Sequence, residues 1–353
     1  MDIVTLNEST LPLAKELIAL RWGCEQDDPR FERFFVWRFL ERGRWDALLA
    51  IADGKGVAFL DSGVRIYRCG EQCISVREPS EWYADPKYRP VGLTLFKRMM
   101  AMPEPMLSIG GSAITRNILP RLGWVPLSTV SQFTLPLQLG SILNHLLKGL
   151  NHFRLVRIAG GLTLPFALRH SSAPVTGLNY SVRSLSGESR ALSVTEGATC
   201  ALASTLNDWE LDWFGRAPSS AGTFELFEFS DGQSWIGHVL VRLYTSGGLP
   251  RAYIMHIDTA AVALPVIRWI ISQASAFCRE RGVAVVHART SSGMLMDALR
   301  QSGFFQRGTL PVHMWPTGDM RIDGATRLDY LRGDDGLRPN LLLDARAELG
   351  NFD

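Results

Sequence analysis

Two stretches of this 353-residue chain repeat one another at a fixed spacing, and that repeat constrains the fold more than any other feature. Ser108 to Trp124 reads as a strand end, a helix and a Gly-aromatic stop, followed by the strand-like Val130 to Leu137. His287 to Phe304 has the same order, followed by Thr309 to Trp315. Ser112, Leu119 and Gly123 correspond to Ser292, Leu299 and Gly303 at a constant offset of 180. Upstream, the segment around Trp37 precedes a hairpin over Ala47 to Leu60 that turns at Asp53-Gly54, a tight-turn dipeptide. The segment around Trp213 precedes Phe224 to Tyr244, with Asp231-Gly232 at the corresponding place. Each copy therefore reads as a helix ending near a Trp, a meander of strands, a helix, a strand, a short helix and a last strand, which is an α+β unit. Duplication also accounts for a length greater than one core usually fills. The predicted division is 1–138, a linker over 139–180, a second copy over 181–320 and a tail over 321–353.

Composition excludes several classes. With 46% hydrophobic and 20% charged residues the chain is of the soluble globular type, and a formal net charge of +2 gives no argument for a nucleic-acid partner. The N-terminal MDIVTLNEST carries acids and no apolar core, so no secretory signal is expected. No run reaches the roughly 18 uncharged apolar residues of a membrane span, and a cytoplasmic protein is the expectation. The five cysteines form no CxxC and no Cys/His cluster, and the seven histidines show neither HExxH nor HxxxD spacing, so no metal is expected. A Gly-x-Ser-x-Gly elbow is also missing from the sequence.

The chemistry concentrates around Tyr88 to Thr94, where an extended segment hands over to a helix predicted for Leu93 to Met102. A glycine turn there would aim backbone N–H groups at an anion, and the helix N-terminus adds about half a positive charge. The matching loop of the second copy, Asp258 to Pro265, has neither a basic residue nor a glycine, so one anion site is expected, in the first copy. Behind that loop Val262 to Arg281 reads as a long helix with Val266, Ile267, Ile270, Ala274, Phe277 and Cys278 on one face and Gly282 as its cap. Acids near the first loop are Glu78, Glu81 and Asp85, with Tyr83 and Tyr88 as proton donors. In the second copy His256 and Asp258 project to one face of a strand and Tyr253 to the other, and a His beside a carboxylate can act as a base near neutral pH.

Pro105 to Gly187 contains no acid but seven basic residues, Arg116, Arg121, Lys148, Arg154, Arg157, Arg169 and Arg183. Within it Ile142, Leu146, Leu150 and Phe153 form a helical stripe. Such a basic amphipathic helix fits an interdomain packing role, an anionic membrane surface, or an acidic partner such as acyl carrier protein.

The run Arg89-Pro90-Val91-Gly92-Leu93-Thr94 resembles the acyl-CoA loop of the GCN5-related N-acetyltransferases: Arg or Gln, two residues, Gly, one residue, then Gly or Ala, with Thr94 at the last place. The resemblance implies two tandem domains of that type, each a mixed, mostly antiparallel twisted sheet flanked by helices. It also implies a diverging central strand, Glu71 to Pro79 in one copy and Ala252 to Asp258 in the other, whose backbone meets a pantetheine arm. The implied donor is acetyl-CoA or another acyl-CoA, contacted by Ser75, Val76, Arg89, Pro90, Val91, Gly92, Leu93, Thr94 and Ser112. An acceptor amine or hydroxyl attacks the thioester directly, with Glu78 or Glu81 as base, Tyr83 as donor, and His256 and Asp258 as candidates in the second copy. Where the superfamily often places a donor tyrosine, four residues before the Gly-aromatic pair, this chain has Leu119 and Leu299.

Trp37-Arg38-Phe39, Asp85 to Arg89, Leu122-Gly123-Trp124 and Asp212-Trp213 are similar to segments of tandem acyltransferases of bacterial polysaccharide or cell-surface assembly. The departures are Gly111-Ser112 in place of Pro-Asn and Trp213-Phe214 in place of Trp-Arg. This narrower resemblance implies a sugar or small-molecule amine as acceptor, reached in the cytoplasm or at the inner membrane face. A donor bound to acyl carrier protein or to tRNA, and a noncatalytic binding module, stay open at this point.

Overall fold

A computed structural model of the chain describes residues 1–41, 47–69, 72–146, 178–185, 202–232, 234–259, 263–316 and 326–329. The first copy runs β1 (Asp2–Thr5), α1 (Leu11–Trp22), α2 (Pro29–Phe39), β2 (Leu48–Ala52), β3 (Lys55–Cys69), β4 (Gln72–Ala84), α3 (Arg89–Met100), β5 (Met106–Ile109), α4 (Ala113–Ile118) and β6 (Val125–Pro136). After α5 (Leu139–Leu146) and the strands β7 (Leu178–Ser184) and β8 (Leu202–Ser204), the second copy runs α6 (Asp208–Gly215), β9 (Thr223–Asp231), β10 (Ser234–Ser246), β11 (Leu249–Thr259), α7 (Leu264–Glu280), β12 (Val285–Thr290), α8 (Gly293–Gln301) and β13 (Phe305–Trp315). A short β14 (Thr326–Arg327) closes the described chain.

The repeat read from the sequence governs these elements residue by residue. Ser112 and Ser292 both cap their helices by accepting an N–H from the residue three further on. Gly123 and Gly303 both take φ near +90°, at 90° and 89°, which a side chain would oppose. Leu119 and Leu299, where tyrosine was looked for, are both buried.

All strands join one sheet in the order β1-β2-β3-β4-β5-β13-β6-β12-β11-β10-β9-β7, with β8 and β14 attached off this path. The two copies do not close separately. Strand β6 pairs with β12 and β13, both from the second copy, while β13 pairs with β5 and β6, both from the first. Each copy has given its last strand to the other, about a pseudo-two-fold axis where Leu310 lies opposite its own counterpart, Val130. The same axis passes between Trp37 and Trp213. Their rings stack at 4.6 Å and 12°, and each indole N–H donates to the other's backbone carbonyl, at 2.9 and 3.0 Å. Two indoles buried this way satisfy their polar atoms while contributing about 1.5–3 kcal/mol each from apolar burial.

Helices α1, α2 and α6 share one core with that pair, whereas α3 covers the first copy's sheet from the other face, and α7 and α8 the second copy's. In α7 the predicted stripe is the buried face, with Ile267, Ile270, Ala274 and Cys278 inward and Gly282 at φ 75° just beyond the end. Of the linker stripe, Ile142 packs beside Leu249, Ala284 and Val285 of the second copy; Leu150 and Phe153 lie outside the described residues. Among the described residues no helix is long and apolar enough to cross a membrane.

Candidate functional site

In the first copy the parallel strands β4 and β5 share a single register pair, Arg77 with Met106, supported by the bond from Arg77 N–H to Pro105 O at 2.8 Å. Beyond it the strands part, and among the described residues β4 continues alone on that side to Ala84, five residues past the predicted end at Pro79. Ser75 and Val76 lie before the pair, so of the predicted contacts they stand on the side away from α3, with Val76 fully buried. The parted stretch carries a bulge: Ser80 pairs with Asp61 and Tyr83 with Phe59, and Glu81 in between takes φ 44°. A non-glycine residue held in this left-handed region costs about 1–3 kcal/mol and needs surroundings that enforce it.

Those surroundings are specific. Glu81 is buried, with Arg38 Nη2 of α2 at 3.3 Å and the Trp22 indole N–H of α1 donating at 3.2 Å. Tyr83 faces the same helix end, beneath the Arg21 guanidinium at 5.5 Å. Glu78 belongs to another group of contacts, accepting a bond from Tyr67 OH and lying 3.9 Å from Arg65. Burial first, then the Glu78 charge, hold the Tyr67 phenol well above its usual range.

The segment after β4 corrects the expected turn. Asp85 caps a short turn by accepting Lys87 N–H at 2.8 Å, and α3 starts at Arg89, four residues earlier than predicted, because Pro90 is pre-set for the first helical turn. Gly92 is thus inside the helix and not in a left-handed turn. Its need is space: a Cβ there would stand 3.1 Å from Ala84 Cβ and 3.2 Å from Trp82 Nε1, and the Trp82 indole donates to Gly92 O at 2.9 Å. Glycine lets helix and strand approach closely. The N–H groups of Arg89 and Val91 fall in the first helical turn, ahead of the first i→i+4 bond of α3, which Gly92 makes to the capping residue Tyr88. Arg89 and Thr94 are exposed, Leu93 half-buried, and Ser112 is the exposed cap of α4.

The second copy has the same parting and another occupant. Strand β11 stays with β12 over four pairs, Arg251 to Ile254 against Val285 to Ala288, and the bulge falls at Met255. The space between the strands is lined by Ile254, Met255, His256, Ala288, Thr290 and Leu295, and it is entered by the segment Arg327-Leu328-Asp329. Leu328 is fully buried, its carbonyl accepts from Ser291 N–H at 2.9 Å, and its N–H donates to Ser291 Oγ at 2.7 Å. The tail read as an appendage is therefore part of the core here.

His256 and Asp258 are both tied to that segment, His256 Nδ1 to Asp329 and Asp258 Oδ1 to Arg327 Nη2 at 2.6 Å. Asp329 also accepts from Arg65 Nη1 at 2.7 Å, and Arg65 donates to Thr205 O at 2.8 Å with Glu210 3.5 Å away. Burial opposes ionisation of Asp329, but the Arg65 charge and the hydrogen bond with His256 outweigh it and hold its carboxyl well below the usual range. Sequence reasoning missed Arg65, Glu210, Arg327 and Asp329, since no spacing links positions brought together only by the fold. The loop residues 260–262, including Ala261, lie outside the described residues.

No family model matches the chain, and no curated protein matches it in sequence. Solved structures match it in fold. One is a probable N-acyltransferase from Enterococcus faecalis V583, 11% identical over 90% of this chain and 72% of that one, at a TM-score of 0.54. A second is a tandem GCN5-related protein from the clavulanic acid biosynthesis pathway, solved without acetyl-CoA, 10% identical over 91% and 99% at 0.52. A third is Saccharomyces cerevisiae N-myristoyltransferase with bound myristoyl-CoA, 12% identical over 97% and 84% at 0.57. The chain has the tandem fold of the GCN5-related N-acetyltransferases.

Proposed function

We propose that the protein is an acyl-CoA-dependent N-acyltransferase with one working site, in the first copy. The observation that carries this reading is the parting of β4 from β5 after a single pair, with the freed strand running straight into the amide-bearing first turn of α3. The pantetheine arm would bond the backbone of Pro79 to Ala84, and the diphosphate would meet the first-turn N–H groups of Arg89 and Val91 with the Arg89 side chain beside them. An amine attacks the thioester carbonyl, the C–S bond breaks, and the thiolate takes a proton. Glu81, on the strained bulge, is the base that accepts the amine's proton, and Tyr83 on the same side is the donor. In the second copy Leu328 takes the place of a pantetheine arm, so that cleft serves structure.

The donor is acetyl-CoA, and the acceptor is an amine of a sugar or small molecule of envelope assembly, as the sequence resemblance implies; the acid-free linker region suits a site near an anionic membrane face. Calorimetry with acetyl-CoA should give about one equivalent, and Glu81→Gln should retain that binding while losing turnover. No heat with acetyl-CoA or any longer acyl-CoA would sink the proposal, and binding of acyl carrier protein alone would move the donor to that carrier.

A further inference from the structure

The second copy's sheet carries a cluster that acyl transfer does not use. His238 on β10 lies directly across from Asp258 on β11, and His256 precedes Asp258 by two residues, so register alone gathers three ligand-type side chains. All three are buried, and one ligand atom from each lies within 4.8 Å of the others. Among the described residues, both ring nitrogens of His238 and Nε2 of His256 have no hydrogen-bond partner, although each residue is 2% exposed. Buried polar atoms are almost always partnered, and a neutral imidazole carries one lone pair, so the lone pair of each ring at this spot calls for an acceptor.

The outer contacts prepare His256 for that role. The Asp329 carboxylate accepts a hydrogen bond from His256 Nδ1–H, which leaves the lone pair on Nε2, as carboxylates do behind metal-bound histidines. The two imidazoles stand 5.3 Å apart between ring centres. With Zn–N bonds of about 2.0–2.1 Å, two imidazoles on one tetrahedral zinc also place their centres roughly 5 Å apart.

We propose that His238, His256 and Asp258 bind a zinc-class divalent metal, with Asp329 as the outer carboxylate and Arg327 sharing Asp258. Two imidazoles and a carboxylate are a donor set for zinc and its borderline neighbours. The spacing of the three residues in the chain could not reveal this, because β10 and β11 supply them from opposite sides of a hairpin. The ion would pin the 326–329 segment onto β10 and β11, a structural role independent of the acyl donor.

The test uses the full chain expressed with zinc supplementation. Elemental analysis should give about one zinc per chain, replacement by cobalt should give visible d–d absorption of a low-coordinate site, and a chelator should lower the melting temperature. His238→Ala and Asp258→Asn should lose the metal while Cys73→Ser, which removes an exposed thiol, should keep it. A wild-type protein that carries no metal and yields no cobalt spectrum after refolding with cobalt would overturn the proposal without any variant. Retention of zinc by His238→Ala would overturn it equally. Acetyl-CoA binding measured on the same samples keeps the fate of this site separate from that of the acyltransferase reading.

Discussion

The two clefts of this molecule start from one template and end differently. In the first copy β4 leaves β5 after one pair and keeps its edge; in the second β11 holds β12 for four pairs and Leu328 enters the gap. The residues four past the equivalent pairing points are Glu81 and His256, the two candidate bases, and they have opposite fates. Glu81 meets Arg38 of α2 and Trp22 of α1, whereas His256 is bound to Asp329 of the segment 326–329. A duplicated fold can thus keep one copy for chemistry because the other, once plugged, no longer needs an open strand edge.

The strongest challenge to this contrast comes from the axis the copies share. Trp37→Ala and Trp213→Ala should each cost about 3–5 kcal/mol of stability, measured by denaturant unfolding, and the double variant should cost clearly less than the sum. Unequal single losses would mean the copies are not equivalent supports. Leu328→Ala should cost about 2–5 kcal/mol and, by opening the second cleft, is the variant in which a second acetyl-CoA equivalent would appear if that cleft retained any affinity. We expect none, read by calorimetry. Gly92→Val would drive a branched side chain into Ala84 and Trp82 and should weaken acetyl-CoA binding more than tenfold. Arg89→Ala removes one exposed charge contact and should weaken it about five- to tenfold, with little change in melting temperature. An unchanged affinity in both variants would remove the first cleft from the donor site.

A pH dependence further separates the second copy from the first. His287, where the first copy has Leu107, is driven to about 3 by burial first and by the Arg251, Arg289 and Arg307 charges after it. The unfolded chain binds a proton there near 6.5 and the folded chain does not, so this contribution is complete above 6.5 and falls away as the pH drops from 6.5 toward 3, by about 1.4 kcal/mol per unit at most. His287→Leu should flatten the stability profile in that window; a variant as acid-sensitive as the wild type would refute the assignment.

Much of this was legible in the chain. The offset of the repeat survives in caps, glycines and buried leucines because short local signals fix helix ends and turns whatever the partner strands are. The exchange of β6 and β13 was not legible, since Val125 to Pro136 has the same alternation whether it pairs within its copy or across. Gly92 was misplaced because a glycine before a helix suggests a turn, while Pro90 already marked the helix start. Leu328 and Asp329 carry no period at all, and only the fold brings them to His256. By contrast, Gly247-Gly248, at φ 56° and 80°, makes a two-residue hairpin turn that sets the register of β10 on β11. Counted from that turn His238 would face Ile257, and only the bulge at Met255 moves the register by one and brings it opposite Asp258.

The traded strands have a consequence during synthesis. As the first copy leaves the ribosome, β5 and β6 lack their neighbours, which lie far downstream in β12 and β13. The nascent chain must carry unpaired apolar edges until the second copy has been made, so its assembly has high contact order and is slow. Neither half expressed alone should give a soluble product, whereas co-expressing the two as separate polypeptides should let them complete one another.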